Sequence, residues 1–151
     1  MHDMTDFRPH HVAISVRDLE ASRGFYRYFG FEIIARWTAG DGSLVIVHMA
    51  QSNGFVLEMF GYSKNEQALG QSLDIENDLQ EIGVKHFGFN VSDLSAVRNQ
   101  MVNDGINGIT EIKHRRTQVD YFFVPDPDGN WVEVVEDLRL ISPDAPLLIQ
   151  Q

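Results

Sequence analysis

The chain has 151 residues, 22 acidic against 12 basic side chains, a formal net charge of −10 and no cysteine. Without cysteine there is no disulfide scaffold, no thiolate zinc site and no thiol nucleophile, and so acidic a balance argues against a nucleic-acid or anionic-membrane surface. The length suits one domain of roughly 100–200 residues, and no apolar run reaches the roughly 18 residues of a membrane span. The polar stretch Met1–His10 lacks an apolar signal core, so a soluble, cytoplasmic protein is expected.

In chain order, Val12, Ile14 and Val16 alternate with His11, Ala13 and Ser15, the period of a strand. Asp18 stands where a helix N-cap is needed. Apolar positions then recur at helical spacing over Leu19–Phe29, and Gly30 stops the helix. Strands are predicted at Phe31–Trp37, Ser43–Met49 and Phe55–Phe60, with turns at Ala39–Gly42 and Ser52–Gly54. The polar stretch Ser63–Val84 reads as a linker or a cavity-covering loop, with a short helix at Ile75–Ile82. A strand from His86, an N-cap at Asp93 and a helix over Leu94–Val102 follow, with a stop at Gly105. Strands are then predicted at Gly108–Lys113, Val119–Val124 and Asn130–Glu136, the last after a turn at Asp126-Pro-Asp-Gly129. The tail from Leu138, with Pro143 and Pro146, is expected to pack loosely.

The same order of elements occurs twice because the sequence repeats. A shift of 75 residues lays His11 on His86, Asp18 on Asp93, Leu19 on Leu94 and Gly30 on Gly105, with seven identities over positions 11–30. Without a gap it also lays Gly54 on Gly129 and Glu58 on Glu133. Two βαβββ modules are therefore expected, 9–62 and 84–138, with a linker over 63–83 and a tail over 139–151. The Gly-rich turns are not phosphate loops, since no helix begins after them.

Strand parity selects the candidate site. Val12, Ile14, Phe87 and Phe89 suit a face packed on a helix, whereas His11, Ala13, Ser15, His86, Gly88 and Asn90 form a small or polar opposite face. Glu58 lies inside Phe55-Val-Leu-Glu-Met-Phe60 and Glu133 inside Trp131-Val-Glu-Val-Val135. A charge within an apolar strand needs a partner or a metal. One strand histidine or glutamate alone is ordinarily a core or surface residue; both types recurring under one shift point to ligands. Two imidazoles and two carboxylates (His11, Glu58, His86 and Glu133) balance a divalent ion such as Zn, Ni, Mn, Fe or Co. His10 points away by parity, and His48 aligns with Phe123 and so has no repeat mate; both stay outside the set. Lys113, His114, Arg115 and Arg116 form a basic cluster that either marks a solvated hairpin tip or draws an anionic substrate through Arg115. Phe60, Tyr121, Phe123 and Trp131 either line an apolar pocket or fill the core.

His11-Val-Ala-Ile-Ser-Val-Arg-Asp-Leu-Glu-Ala-Ser-Arg-Gly-Phe-Tyr26, His86-Phe-Gly-Phe-Asn-Val91 and Asp126-Pro-Asp-Gly-Asn-Trp-Val-Glu133 together resemble the vicinal oxygen chelate superfamily. That superfamily includes glyoxalase I, methylmalonyl-CoA epimerase, fosfomycin resistance proteins, extradiol dioxygenases and bleomycin-binding proteins. The resemblance implies an α+β fold in which two tandem βαβββ modules form a curved mixed sheet around a metal cavity, usually in a homodimer. It implies the ligand set His11, Glu58, His86 and Glu133, which is most similar to that of bacterial glyoxalase I. That enzyme holds glutathione through an Arg four residues after the first ligand and an Asn four after the second; Ser15 and Tyr62 stand there in this chain. The expected function is a glyoxalase-like lyase or isomerase using Ni, Zn, Mn or Fe. It would abstract a proton beside a metal-bound carbonyl, through an enediolate, from a small molecule not held by the glutathione contacts. Glu133 is the first candidate base and Glu58 the second; Ser15, Asn90, Phe60, Trp131 and Arg115 are candidate substrate contacts. The alternatives are a ring-cleaving non-haem iron dioxygenase and a metal-free drug-binding resistance protein.

Overall fold

The computed structural model describes residues 7–65 and 74–149, and within them every side chain of a helix or strand except those of Arg115 and Arg116. These residues divide into two compact units, one within 7–65 and the other within 74–149. The expected linker, 63–83, lies partly outside the described residues, as does the end of the tail.

The first unit runs β1 (His11–Ser15), α1 (Leu19–Arg27), β2 (Glu32–Thr38), β3 (Leu44–Ala50) and β4 (Val56–Tyr62). The second runs α2 (Ile75–Gln80), β5 (His86–Asn90), α3 (Leu94–Asn103), β6 (Lys113–Arg116), β7 (Val119–Pro125) and β8 (Trp131–Glu136). Each unit thus contains a βαβββ run, and each forms one four-stranded mixed sheet, in the orders β1-β4-β3-β2 and β5-β8-β7-β6. The first strand of each run pairs in parallel with the last, and the remaining pairs are antiparallel. A parallel return needs a crossover, which the helix and the two middle strands supply.

Local chemistry sets the boundaries. Asp18 accepts from the backbone N–H of Glu20 and Ala21 at 2.9 and 3.1 Å, and Asp93 from that of Ala96 at 3.0 Å, so both helices start at the expected caps. Gly30 and Gly105, at φ +86° and +80°, take the left-handed conformation that ends a helix. Alternate positions then bury one face of each sheet. Val47, Met49, Leu57 and Met59 are buried, as is Tyr26 of α1, in the first unit; Phe122, Val124, Val132 and Val134 are buried, as are Leu94 and Met101 of α3, in the second. Helix α1 sits so close to β4 that a Cβ on Gly61 would meet Leu19 Cδ1 at 2.7 Å. Among the described residues no helix is long and apolar enough to cross a membrane.

Two expectations need correction. The strand predicted at Gly108–Lys113 begins instead at Lys113 and runs to Arg116. Thr110 bridges to Phe123 with its own hydroxyl, which accepts from the Phe123 N–H at 2.8 Å. Gly108, at φ +79°, would bring a Cβ within 2.7 Å of Pro125. Residues 108–112 therefore run beside β7 without a regular ladder. The basic cluster is accordingly the edge strand β6 itself, and the hairpin turns at Thr117–Gln118, both at positive φ. That is the backbone of a two-residue primed turn, built here without glycine or asparagine. The tail, in turn, is not loose where it begins: Arg139 is bound to Asp137 and to the Thr117 carbonyl.

Candidate functional site

In each unit the face opposite the helix carries the candidate His and Glu residues. Register places them: Ala13 lies opposite Glu58 and Gly88 opposite Glu133, so His11 and His86 stand one same-face step away from their glutamates.

In the second unit, His86 Nε2 lies 3.0 Å from Glu133 Oε2, and both side chains are 22% exposed. Phe123, opposite Glu133 on β7, sets its ring edge to face against the imidazole, with centroids 4.9 Å apart. The far ring nitrogen of His86, Nδ1, is buried and has no hydrogen-bond partner among the described residues. Gly88 leaves room beside the carboxylate, because a Cβ there would come within 3.3 Å of Glu133 Cβ. An open cavity of about 350 Å³ begins at this pair. It passes Phe123, Tyr121, Val119 and Val135 and ends at Thr117, Asp137 and Arg139, with Leu79 of α2 on its wall.

In the first unit, the same face brings a second imidazole to the carboxylate. His48 Nε2 lies 2.6 Å from Glu58 Oε2, and His11 Nε2 lies 4.0 Å from Glu58 Oε1. His10 and His11 meet through their Nδ1 atoms at 3.0 Å, so one ring donates and the other accepts. The sequence reading set His48 aside for want of a repeat mate, although its own turn assignment contained the signal that it faces Glu58. A hairpin centred on Asn53 pairs residues whose numbers sum to 106, and 48 + 58 = 106, as the observed register has it.

The remaining candidates are spread over the two units. Ser15 is exposed at the end of β1 beside Phe60, which is half-buried on β4. Asn90 clamps backbone: its Oδ1 accepts from the Asp137 N–H at 2.9 Å and its Nδ2 donates to the Asp137 carbonyl at 3.4 Å. Trp131 is buried, with its ring centroid 6.3 Å from that of Phe123, and it does not line the cavity; Tyr121 and Phe123 do. The side chain of Arg115 lies outside what is described. Asp137 and Arg139, which the sequence reading missed, form a two-point ion pair, Nε to Oδ1 at 2.9 Å and Nη2 to Oδ2 at 2.7 Å. Hydrogen bonds from Arg139 hold the Asp137 carboxyl below its ordinary pKa of 3.8, and those same bonds raise the Arg139 guanidinium above its own.

The donors suit a divalent cation in kind: imidazole nitrogen and carboxylate oxygen, with two His–Glu pairs offering charge balance. Within the described residues no group of three or more His, Asp or Glu side chains is gathered in a geometry that holds an ion. The pairs are thus individually formed, with His86 Nε2 and His11 Nε2 both turned toward carboxylate.

A family model described as Glyoxalase/Bleomycin resistance protein/Dioxygenase superfamily matches residues 8–134. A lactoylglutathione lyase of Schizosaccharomyces pombe is 26% identical over 141 residues, covering 89% of this chain and 46% of that protein. The chain therefore spans about half the length of that relative. A lactoylglutathione lyase of Pseudomonas aeruginosa is 27% identical over 143 residues, covering 83% of this chain and 80% of that protein. Among solved structures, a glyoxalase family protein from Enterococcus faecalis superposes with a TM-score of 0.70 at 20% identity, covering 88% of this chain and all of that one.

Proposed function

Since the chain belongs to the glyoxalase/bleomycin resistance protein/dioxygenase superfamily, we propose that it is a divalent-metal-dependent, glyoxalase-like lyase or isomerase. It works on a small molecule as a cytoplasmic homodimer. His11, Glu58, His86 and Glu133 are the proposed ligands, with Ni, Zn, Mn or Fe as the ion. The observation that carries the proposal is the repeated pair: one half-buried carboxylate facing one imidazole at the same position of each unit. A bound divalent ion would supply Lewis-acid stabilisation of the charge that develops on a substrate carbonyl.

The chain's own groups do the rest. Glu133 is the base: it takes a proton from the carbon beside the carbonyl and returns it to the neighbouring carbon, as a half-buried carboxylate within reach of the substrate can. His86 orients it through the 3.0 Å contact. Phe123, Tyr121 and Val135 keep water from the reacting carbon. Ser15 and Tyr62, where glyoxalase I has its glutathione contacts, support a substrate other than a glutathione adduct.

The test is turnover of hemithioacetals made from glutathione and from other thiols, after reconstitution with each of the four metals. Metal-dependent turnover that Glu133→Gln removes, with the circular dichroism spectrum unchanged, is the expected result; unchanged turnover in that variant would end the role of Glu133. A second reading, a metal-free small-molecule binder, is favoured by the cavity itself, whose apolar wall suits a ligand without any chemistry. It predicts binding with no turnover under any metal.

A further inference from the structure

The cavity of the second unit has two polar ends, and the function proposed above uses only one. Glu133 and His86 form the first. Four residues farther along the extended chain, about 13 Å at strand rise, Asp137 and Arg139 form the second, with an apolar stretch between them.

The second end is built rather than incidental. Asn90 bonds both backbone polar groups of Asp137, so that residue is fixed at the end of β8. Asp137 holds Arg139 at two points, and the Thr117 carbonyl accepts from Nη1 at 3.1 Å. A guanidinium has five N–H donors. Three are used, and two have no partner among the described residues. Arg139 is 36% exposed against 12% for Asp137, so the donor side is the open one.

The charges decide what these donors accept. Among the described residues the titratable groups on the cavity wall are Glu133, Asp137, Arg139, His86 and Tyr121. Asp137 offsets Arg139 through the two-point contact. The chain as a whole is at −10. At the Asp137–Arg139 end an incoming carboxylate finds donors but no net positive charge, because the Asp137 carboxylate already sits against the guanidinium and repels a second one. A neutral oxygen takes the same N–H groups without that cost.

We propose that the Asp137–Arg139 pair is a charge-compensated donor that selects an uncharged, hydrogen-bond-accepting group and disfavours anions. The ligand class is then a small neutral molecule with an apolar or aromatic middle and an acceptor oxygen at its far end. Asp137 is the specificity-determining residue: it leaves the guanidinium two donors and offsets its charge. The inference rests on the proposed function only in placing the reacting carbonyl at the Glu133 end.

The probes are 3-phenylpropanamide, 3-phenylpropanoate and 3-phenylpropylamine, titrated at pH 7 into the ¹⁵N-labelled full chain. The amide is expected to bind at least about threefold more tightly than the acid or the amine, shifting the amide signals of Val119, Tyr121 and Val135. Asp137→Asn is expected to move the acid-to-amide affinity ratio about tenfold toward the acid, since it exposes one uncompensated charge. Arg139→Gln is expected to weaken the amide and leave the acid weak, and circular dichroism checks that both variants fold. Tightest binding by the acid or the amine in the unaltered chain, a ratio unmoved by Asp137→Asn, or no saturable binding of any probe overturns the proposal. Metal content and turnover of the same samples separate it from the lyase reading. A preserved amide preference without metal strikes only the lyase, and metal-dependent turnover with an acid preference strikes only the selectivity.

Discussion

The two units place one carboxylate in two different environments. Glu58 is held between two imidazoles, His48 at 2.6 Å and His11 at 4.0 Å, whereas Glu133 has one imidazole at 3.0 Å and the Phe123 ring in the place of the second. The difference is one residue at one ladder position, 48 against 123. It teaches that the repeat keeps the His–Glu pair and varies what surrounds it. A carboxylate with a short charge-assisted bond is fixed; one that faces an aromatic edge and a cavity keeps lone pairs for a substrate. The second environment suits a base and the first a ligand.

The sharpest way to break this comparison is to remove each carboxylate in turn. Glu133→Gln should lower kcat about 10²–10⁴-fold, the usual contribution of a general base. Glu58→Gln should act mainly on metal affinity, with kcat restored at high metal concentration. Steady-state kinetics against metal concentration tell the two apart, and equal losses of kcat would erase the asymmetry.

The next largest effect is expected from making the units alike. His48→Phe gives Glu58 the surroundings of Glu133 and should weaken metal binding about 10–100-fold, as loss of a group that orients a ligand commonly does. Competition with a chelating dye measures it, and an unchanged affinity would mean that His48 holds nothing that matters.

Smaller effects distinguish the helices. Asp18 caps two backbone N–H groups and Asp93 one, so Asp18→Ala should cost about 1–2 kcal/mol and Asp93→Ala about 1 kcal/mol or less in urea unfolding. The smallest effect is in the pH dependence. The Asp137 carboxyl lies below 3.8 because Arg139 stabilises its charged form. Its stabilisation is therefore complete at neutral pH and is lost as the pH falls below that value. Asp137→Asn should unfold slightly more easily than the unaltered chain at pH 7, and that gap should narrow toward pH 3. A gap that widens in acid would contradict the sign.

Much of the fold was legible because the sequence states it twice. Caps at Asp18 and Asp93, stops at Gly30 and Gly105 and alternation in β1 and β5 are local signals, and each is where the residues put it. Strand β6 was misplaced because its turn, Thr117–Gln118, adopts a backbone normally marked by glycine or asparagine, so nothing in the composition announces it. The repeat that exposed Glu58 and Glu133 also concealed His48, since a residue whose mate is phenylalanine has no counterpart to reveal it. The Asp137–Arg139 pair was illegible for another reason: two residues apart where the last module meets the tail, it has no periodicity, and among the described residues Asn90 and the Thr117 carbonyl fix it in space.

The central proposal is that His11, Glu58, His86 and Glu133 are metal ligands. Elemental analysis of the purified chain, of His11→Ala and of His86→Ala after reconstitution and removal of excess metal tests it most directly. The account predicts about one divalent ion per chain in the unaltered protein, on the stoichiometry of a four-ligand site, and loss of most of it in either variant. Full metal content in one of the two variants, or none in the unaltered chain, would contradict it.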